Sequence, residues 1–171
     1  NPARGFATYQ STDWSIVRLG LPYASDGIVW TDRLFLAGDD RDPNVVVWSD
    51  PFRLGAFPQN NFLRLASNGD KFSVFALIYD WLVIFQENHT WVAKRNSDGS
   101  FSLELALPDE GCIAPNSVTY IEGHGVAYES NKGWRIFDGN NARDFVLAIK
   151  PALQSDPRTL YRVNAGYRHK S

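Results

Sequence analysis

The sequence predicts an all-β protein built from β-propeller-like repeats of short antiparallel strands, with one short helix. Three observations support this fold class. An apolar strand, a turn and a Trp-bearing strand recur three times, the marker residues Leu34, Leu82 and Val126 lie 48 and 44 residues apart, and the intervening segments alternate apolar and polar residues. Propeller blades repeat about every 40–50 residues. We therefore expect about three and a half blades that form part of a larger propeller.

Three windows of the chain contain the repeat. Each opens with a short apolar strand that breaks at an acidic residue and resumes with two apolar residues two positions apart. A polar turn then leads into a strand that contains a tryptophan. Matching residues are expected at matching depths of successive blades. The windows are Gly27–Asp50, Phe75–Arg95 and Ser117–Gly139, the apolar pairs are Leu34/Leu36, Leu82/Ile84 and Val126/Tyr128, and the tryptophans are Trp48, Trp91 and Trp134.

The whole chain, residues 1–171, is interpreted as a single propeller segment. Its repeats cover approximately residues 27–66, 75–108 and 117–140, and residues 160–171 have the pattern of the start of another blade. A single blade cannot bury both faces of its sheet, so neighbouring blades must stack. No methionine is present, even at position 1, and we therefore expect a longer polypeptide. An ordinary β-sandwich with accidental internal similarity is the alternative fold.

The segments outside the windows supply further elements. Asn61–Ser67 and Ser100–Pro108 alternate with period two, which indicates strands with one buried face. Between windows, Asn96–Ser100 contains Asp-Gly, which suits a hairpin turn. One short helix is predicted within Asn141–Leu153, where Pro151 limits it to about two or three turns. Upstream, Phe6–Gln10 and Ser15–Leu21 are candidate outer strands of a preceding blade.

Composition argues against several classes of partner. The formal net charge of -2 gives no electrostatic reason to expect nucleic acid or an anionic membrane. No apolar stretch approaches the roughly 20 residues that span a bilayer. Cys112 is the only cysteine, so an intrachain disulfide is impossible.

No residue pattern indicates an enzyme, a cofactor or a metal. The three histidines lack motif partners. Asp39–Asp42 carries carboxylates at alternating positions, but Arg41 lies among them and no calcium-loop pattern follows, so a solvated turn is the preferred interpretation. The 19 Asp and Glu residues allow a glycosidase-type carboxylate pair, yet nothing in the sequence selects one.

Trp48-Ser49-Asp50-Pro51 indicates the end of a strand. Trp48 offers a large apolar surface with one N–H to satisfy. Ser49 and Asp50 can bind nearby backbone N–H groups, and Pro51 stops the ladder because it lacks a donor. A binding site is the less favoured interpretation.

Residues Ala37–Leu65 resemble the β-propeller proteins of tailed-phage tails and tail adaptors, including the tail stabilisation proteins. In that family, a strand ending in Ala-Gly-Asp precedes a Pro-Asn turn, a Trp-Ser-Asp/Glu-Pro strand end and a Phe-Pro…Asn-Phe segment. The matching residues here are Ala37-Gly38-Asp39, Pro43-Asn44, Trp48-Ser49-Asp50-Pro51, Phe57-Pro58 and Asn61-Phe62.

The resemblance covers roughly residues 28–153. Asp80–Ala93 looks like a strand pair of the family, with Gln86 where Lys is usual. Glu110–Val118 resembles its blade junction, which implies structural roles for Gly111, Cys112 and Pro115. Asn131–Phe145 resembles its hairpin and following helix, with Trp134 in the usual Tyr position and Phe137-Asp138-Gly139 at the turn.

The resemblance implies a non-enzymatic structural protein of the virion tail that assembles in the host cytoplasm. It implies contacts with other tail, portal or adaptor proteins, and we expect a homo-oligomer that binds no cofactor, nucleic acid or membrane. Phe52, Phe57 and Tyr167 are candidate interface anchors, with core packing as the alternative. The competing function is a receptor-binding propeller that binds or cleaves carbohydrate, in which Tyr and Trp at loop ends stack on sugar rings.

Overall fold

Three four-stranded antiparallel sheets follow one another along the chain. In this computed structural model, residues 22–65 and 69–145 are described, together with two short strands near the N-terminus. Those two strands, β1 (Thr8–Tyr9) and β2 (Ile16–Val17), pair antiparallel in a sheet of their own. Among the described residues, no helix has the length and hydrophobicity that a bilayer span requires.

Each sheet is a meander in which strands adjacent in sequence are adjacent in space. The predicted all-β fold class with propeller-like repeats is therefore confirmed. The first sheet contains β3 (Asp26–Trp30), β4 (Arg33–Asp39), β5 (Asp42–Trp48) and β6 (Phe62–Arg64); the second contains β7 (Phe72–Ile78), β8 (Trp81–Gln86), β9 (Thr90–Arg95) and β10 (Phe101–Leu107); the third contains β11 (Thr119–Ile121), β12 (Gly125–Ser130), β13 (Gly133–Phe137) and β14 (Ala142–Asp144).

The sheets stack face to face around two apolar cores. One core joins the first and second sheets, and includes Phe35 and Leu82. The other joins the second and third sheets, and includes Phe85 and Val126. The first strand of the second sheet, β7, contacts β3 on one side and β11 on the other. The first strands therefore lie side by side, like the innermost strands around a propeller axis.

Leu34, Leu82 and Val126 occupy matching places in the three sheets. Each is the second residue of the second strand, and each lies opposite a residue of the first strand of its own sheet. Leu82 and Val126 are fully buried against the preceding sheet, whereas Leu34 is half-buried on the outward face of the first sheet. The three residues therefore occupy the same position on the second strand of each sheet, as predicted. The difference in their burial follows from the place of each sheet in the stack.

The three tryptophans of the windows all lie on third strands, but they are not equivalent. Trp48 is opposite the third residue of its second strand, Trp91 opposite the fourth and Trp134 opposite the fifth. The predicted tryptophan-bearing strand is present in each sheet, but a shift of one residue turns a side chain to the other face, so Trp91 faces the preceding sheet whereas Trp48 and Trp134 do not. Trp48 and Trp91 pack in the first core from opposing sheets, while Trp134 is 48% exposed.

The predicted strands at Asn61–Ser67 and Ser100–Pro108 are confirmed as β6 and β10. The hairpin turn at Asn96–Ser100 is also confirmed, with Gly99 at a φ of 83°. Within the segment Asn141–Leu153, where one short helix is predicted, Ala142–Asp144 pair with β13 as strand β14, and Phe145 is in a helical conformation. Residues 146–153 and the predicted blade start at 160–171 lie outside the described part of the chain.

Candidate interaction surface

The turns of the three sheets fall at two opposite ends of the stack. The connections between first and second strands and between third and fourth strands share one end, which we call the hairpin end. Two contacts hold the hairpin ends of neighbouring sheets together. The Trp30 indole N–H donates to the Asp80 carbonyl at 2.9 Å, and Gly139 lies directly against the Trp81 ring.

Trp48-Ser49-Asp50-Pro51 lies at the hairpin end, where β5 finishes. The Trp48 ring stacks on Phe35 at 5.7 Å between centroids. Ser49 is fully buried, and its hydroxyl accepts from the Leu34 N–H at 2.9 Å while donating to the Asp50 carbonyl at 3.1 Å. Where the strand ends, the Ser49 hydroxyl thus accepts the Leu34 N–H in place of a backbone carbonyl.

Phe52 follows this strand end and carries the most exposed aromatic side chain of the described residues. It is 81% exposed, and its φ of 59° places a bulky residue in the left-handed region. Its N–H donates to the Asp32 carbonyl at 2.8 Å, which fixes the loop to the β3–β4 turn. Such backbone strain is uncommon outside glycine and clusters at functional sites. The ring is therefore held outward, where a partner can bury it.

The other candidate anchors differ from Phe52. Phe57 is half-buried in the loop between β5 and β6, so part of its ring packs within the molecule. Tyr167 lies outside the described residues. Sequence reasoning missed Tyr79, which is 70% exposed in the β7–β8 turn at a φ of 52°. The signal for it was the Tyr-Asp pair that interrupts the apolar run before Trp81.

The blade-junction motif packs at the opposite end, between the second and third sheets. Gly111 sits so close to the Gln86 carbonyl that a Cβ at this position would collide with it. Next in the chain, Cys112 is fully buried and its N–H donates to that same carbonyl at 2.9 Å. Burial raises the pKa of the Cys112 thiol, which keeps it protonated and unreactive. Pro115 opens a short 3-10 helix, Pro115–Ser117, that leads into the third sheet.

A buried carboxylate ties this junction to the third sheet. Glu110 accepts from the Tyr128 hydroxyl at 2.7 Å and from the Arg135 Nε at 2.9 Å, and Lys132 lies 3.5 Å from its second oxygen. Burial alone would raise the pKa of Glu110, but these hydrogen bonds and charges outweigh it and hold the pKa below its ordinary value. Burial and the neighbouring Glu110 raise the pKa of Tyr128. Glu110 is therefore a structural anion.

Phe137-Asp138-Gly139 closes the third sheet at the hairpin end. Phe137 is fully buried in the second core. Burial opposes ionisation of Asp138, but backbone N–H groups of Asn141 and Asn140 at 2.9 and 3.0 Å lower its pKa. Gly139 has a φ of 104°, which strains any other residue, and a Cβ there would contact the Trp81 ring closely, at 3.0 Å. The motif thus fixes the third sheet against the second.

The contacts described above hold strands, turns and sheets together. The described residues contain no group of three or more His, Cys, Asp or Glu side chains placed to hold a metal ion. Asp39–Asp42 forms the β4–β5 turn, and the Asp42 carboxylate is bound at 2.6–2.7 Å by both guanidinium nitrogens of Arg64. What the geometry offers instead is a rigid end that displays aromatic side chains on short turns.

Comparison of the chain with protein-family models and with curated proteins finds no match. The resemblance to phage-tail propellers therefore stays a prediction that depends on the quoted motifs. The geometry shows that these motifs occupy strand ends and sheet junctions, where they determine how consecutive sheets pack.

Proposed function

We propose that this chain is a structural protein of a phage tail or tail adaptor, acting through protein–protein contacts in a ring-like assembly. The main support for the proposal is that equivalent sheets stack in one direction, each packing against the sheet before it. Leu82 and Val126 each bury against the preceding sheet, and the equivalent Leu34 lies on the face of the first sheet that points away from the second. A stack that repeats in one direction extends until it closes or meets another subunit.

The proposed contacts with neighbouring subunits centre on the hairpin end. Phe52 projects a nearly free ring from a loop that the Asp32 carbonyl holds in place. Exposed aromatic side chains on rigid supports are typical anchors of protein interfaces, because they bury a large area at little cost in conformational entropy. The motif residues beneath the loop would supply the rigidity and take no part in chemistry.

Particle composition tests this proposal. We expect the chain to be present in purified tailed particles by mass spectrometry, and its density to form part of a ring at the tail or the portal vertex by cryo-electron microscopy. Absence of the chain from particles produced by the genome that encodes it would overturn the proposal.

A matched pair of variants tests the anchor. Phe52→Asn removes the ring while Asn tolerates the left-handed conformation, so the fold should persist. We expect incorporation into particles to fall at least about tenfold. Ile113→Thr changes a half-exposed apolar residue at the opposite end and should leave incorporation unchanged. Equal incorporation of both variants would remove Phe52 from the interface.

A further inference from the structure

An open cleft of about 620 Å³ lies at the hairpin end between the first and second sheets. Three separate turns build it. Trp30 and Thr31 come from the β3–β4 turn, Tyr79–Trp81 from the β7–β8 turn, and Lys94–Ser97 from the end of β9 and the turn that follows. Its volume falls in the range of small-molecule and cofactor sites. Neither the packing of the sheets nor the proposed anchor at Phe52 requires this cleft.

One wall of the cleft presents an exposed aromatic ring. Tyr79 is 70% exposed and stands edge-on to Trp81 at 6.5 Å between ring centroids. Its φ of 52° is strained for an aromatic residue, and the Trp30 N–H holds the neighbouring Asp80 carbonyl at 2.9 Å. The turn is therefore fixed with the Tyr79 ring turned away from the core, ready to stack on a flat apolar surface.

The opposite wall carries two cations, one of which is paired with a carboxylate. The Lys94 ammonium lies over the Trp81 ring at 4.1 Å from its centroid and 3.3 Å from a Glu104 carboxylate oxygen. The Arg95 guanidinium is exposed, and no carboxylate of the described residues pairs with it. Asp80 adds a negative charge to the lining. The formal charges of Lys94, Arg95, Asp80 and Glu104 therefore sum to zero. Lys94 pairs with Glu104, whereas Arg95 and Asp80 have no ion pair among the described residues.

Polar groups complete the lining. The Thr31 hydroxyl oxygen is buried and has no hydrogen-bond partner among the described residues. Asp80, Asn96 and Ser97 contribute exposed acceptors and donors. Because the Thr31 oxygen is buried, the polar groups open to a ligand are those of Asp80, Asn96 and Ser97.

We propose that this cleft binds a glycan that carries isolated carboxylate groups, such as a uronic-acid or sialic-acid oligosaccharide. The apolar face of a sugar ring would stack on Tyr79, because both surfaces lose water on contact. The sugar carboxylate would pair with Arg95, whose planar fork suits two parallel hydrogen bonds. Sugar hydroxyls would bind the exposed side chains of Asp80, Asn96 and Ser97.

Charge and topology argue against other ligands. A dense polyanion such as nucleic acid needs a row of free cations, and the cleft offers one. A peptide that adds a strand needs an open sheet edge, but β9 is paired on both edges, with β8 and with β10. An acidic peptide bound through side chains alone is an outcome that the test distinguishes.

Titration calorimetry on the full chain tests the site. The probes are galacturonate, glucuronate and sialic-acid oligosaccharides, the methyl esters of the same sugars, and an Asp/Glu-rich peptide. We expect at least one carboxylated oligosaccharide to bind and its methyl ester to bind about tenfold more weakly, because esterification removes the charge that Arg95 recognises. Absence of binding by every carboxylated probe, or tighter binding of the peptide, would overturn the proposal.

Two variants and two matched controls locate the binding. Tyr79→Asn keeps the left-handed backbone and removes the ring, and Arg95→Gln removes the free cation. Each should weaken binding of the carboxylated probe about tenfold. Tyr120→Thr and Arg53→Gln change an exposed tyrosine and an exposed arginine outside the cleft. If the controls lower the affinity as much as the cleft variants do, the site lies elsewhere and the proposal is wrong.

Discussion

The Trp91 indole N–H donates a 2.7 Å hydrogen bond to the Gln86 side-chain oxygen inside the protein. Gln86 is fully buried, and its amide nitrogen donates to the Asn44 side-chain oxygen at 3.1 Å and to the Asp70 carbonyl at 3.2 Å. One neutral side chain thus links the first sheet, the second sheet and the segment before β7. In the family that the sequence resembles, this position usually holds lysine.

Replacing this amide with lysine should destabilise the protein. Lysine has no acceptor for the Trp91 N–H and would bring a charge into a fully buried site. We expect Gln86→Lys to lower the free energy of unfolding by roughly 2–4 kcal/mol, measured by urea denaturation. Gln59→Lys, at an exposed loop position, is the control and should change stability by less than about 0.5 kcal/mol. A Gln86→Lys protein as stable as the parent would show that the hydrogen-bond network can be rebuilt around a cation.

Gly111 should tolerate no side chain. A Cβ there would collide with the backbone of Gln86, Glu87 and His89, none of which can move without breaking the β8–β9 turn. We expect Gly111→Ala to cost at least about 3 kcal/mol or to prevent folding, as judged by thermal unfolding monitored by circular dichroism.

The matched control for Gly111 is Gly99→Ala in the β9–β10 turn. Gly99 has a φ of 83° but open space around it, so only backbone strain of about 1–2 kcal/mol is expected. Similar losses for the two variants would contradict the steric role assigned to the blade junction.

Glu110 should make stability depend on pH. Because folding lowers the pKa of Glu110, its ionised form stabilises the folded state above the unfolded-state pKa of about 4.3, and this contribution is lost as the pH falls through the folded-state value. We expect Glu110→Gln to destabilise the protein by roughly 2 kcal/mol at pH 7, and the difference from the parent protein to shrink in acid. Urea denaturation at pH 7 and at pH 3.5 measures both values.

Glu104→Gln is the control for this experiment. Glu104 also pairs with a cation, but its side chain is largely exposed, so its removal should cost no more than about 0.5 kcal/mol at either pH. A loss at Glu110 that does not vary with pH would mean that shape, and not charge, explains its contribution.

Much of the fold was predictable because its signals are local. Period-two alternation identified β6 and β10, and the spacing of Leu34, Leu82 and Val126 identified equivalent positions on three second strands. The alternation of apolar and polar residues within a strand indicates which of its faces is buried. The segment Asn141–Phe145 has no such pattern, and pairing with β13 determines that Ala142–Asp144 is a strand rather than the start of a helix.

The candidate sites were less predictable, since they depend on contacts between distant segments. Tyr79 and Arg95 are ordinary residues in the sequence, and they line one cleft only because the β7–β8 turn and the end of β9 meet at the hairpin end. Glu110 likewise acquires its role from Tyr128 and Arg135, which are 18 and 25 residues away.

The sequence by itself determined the repeat, the strand-forming segments and the turns, because alternation and turn chemistry act over a few residues. Only the tertiary structure decided which face of each tryptophan-bearing strand is buried. It also decided which carboxylate is held as a buried anion and which side chains share a cleft. These outcomes depend on the register between strands and on the stacking of sheets, where a shift of one residue turns a side chain from the core to the solvent.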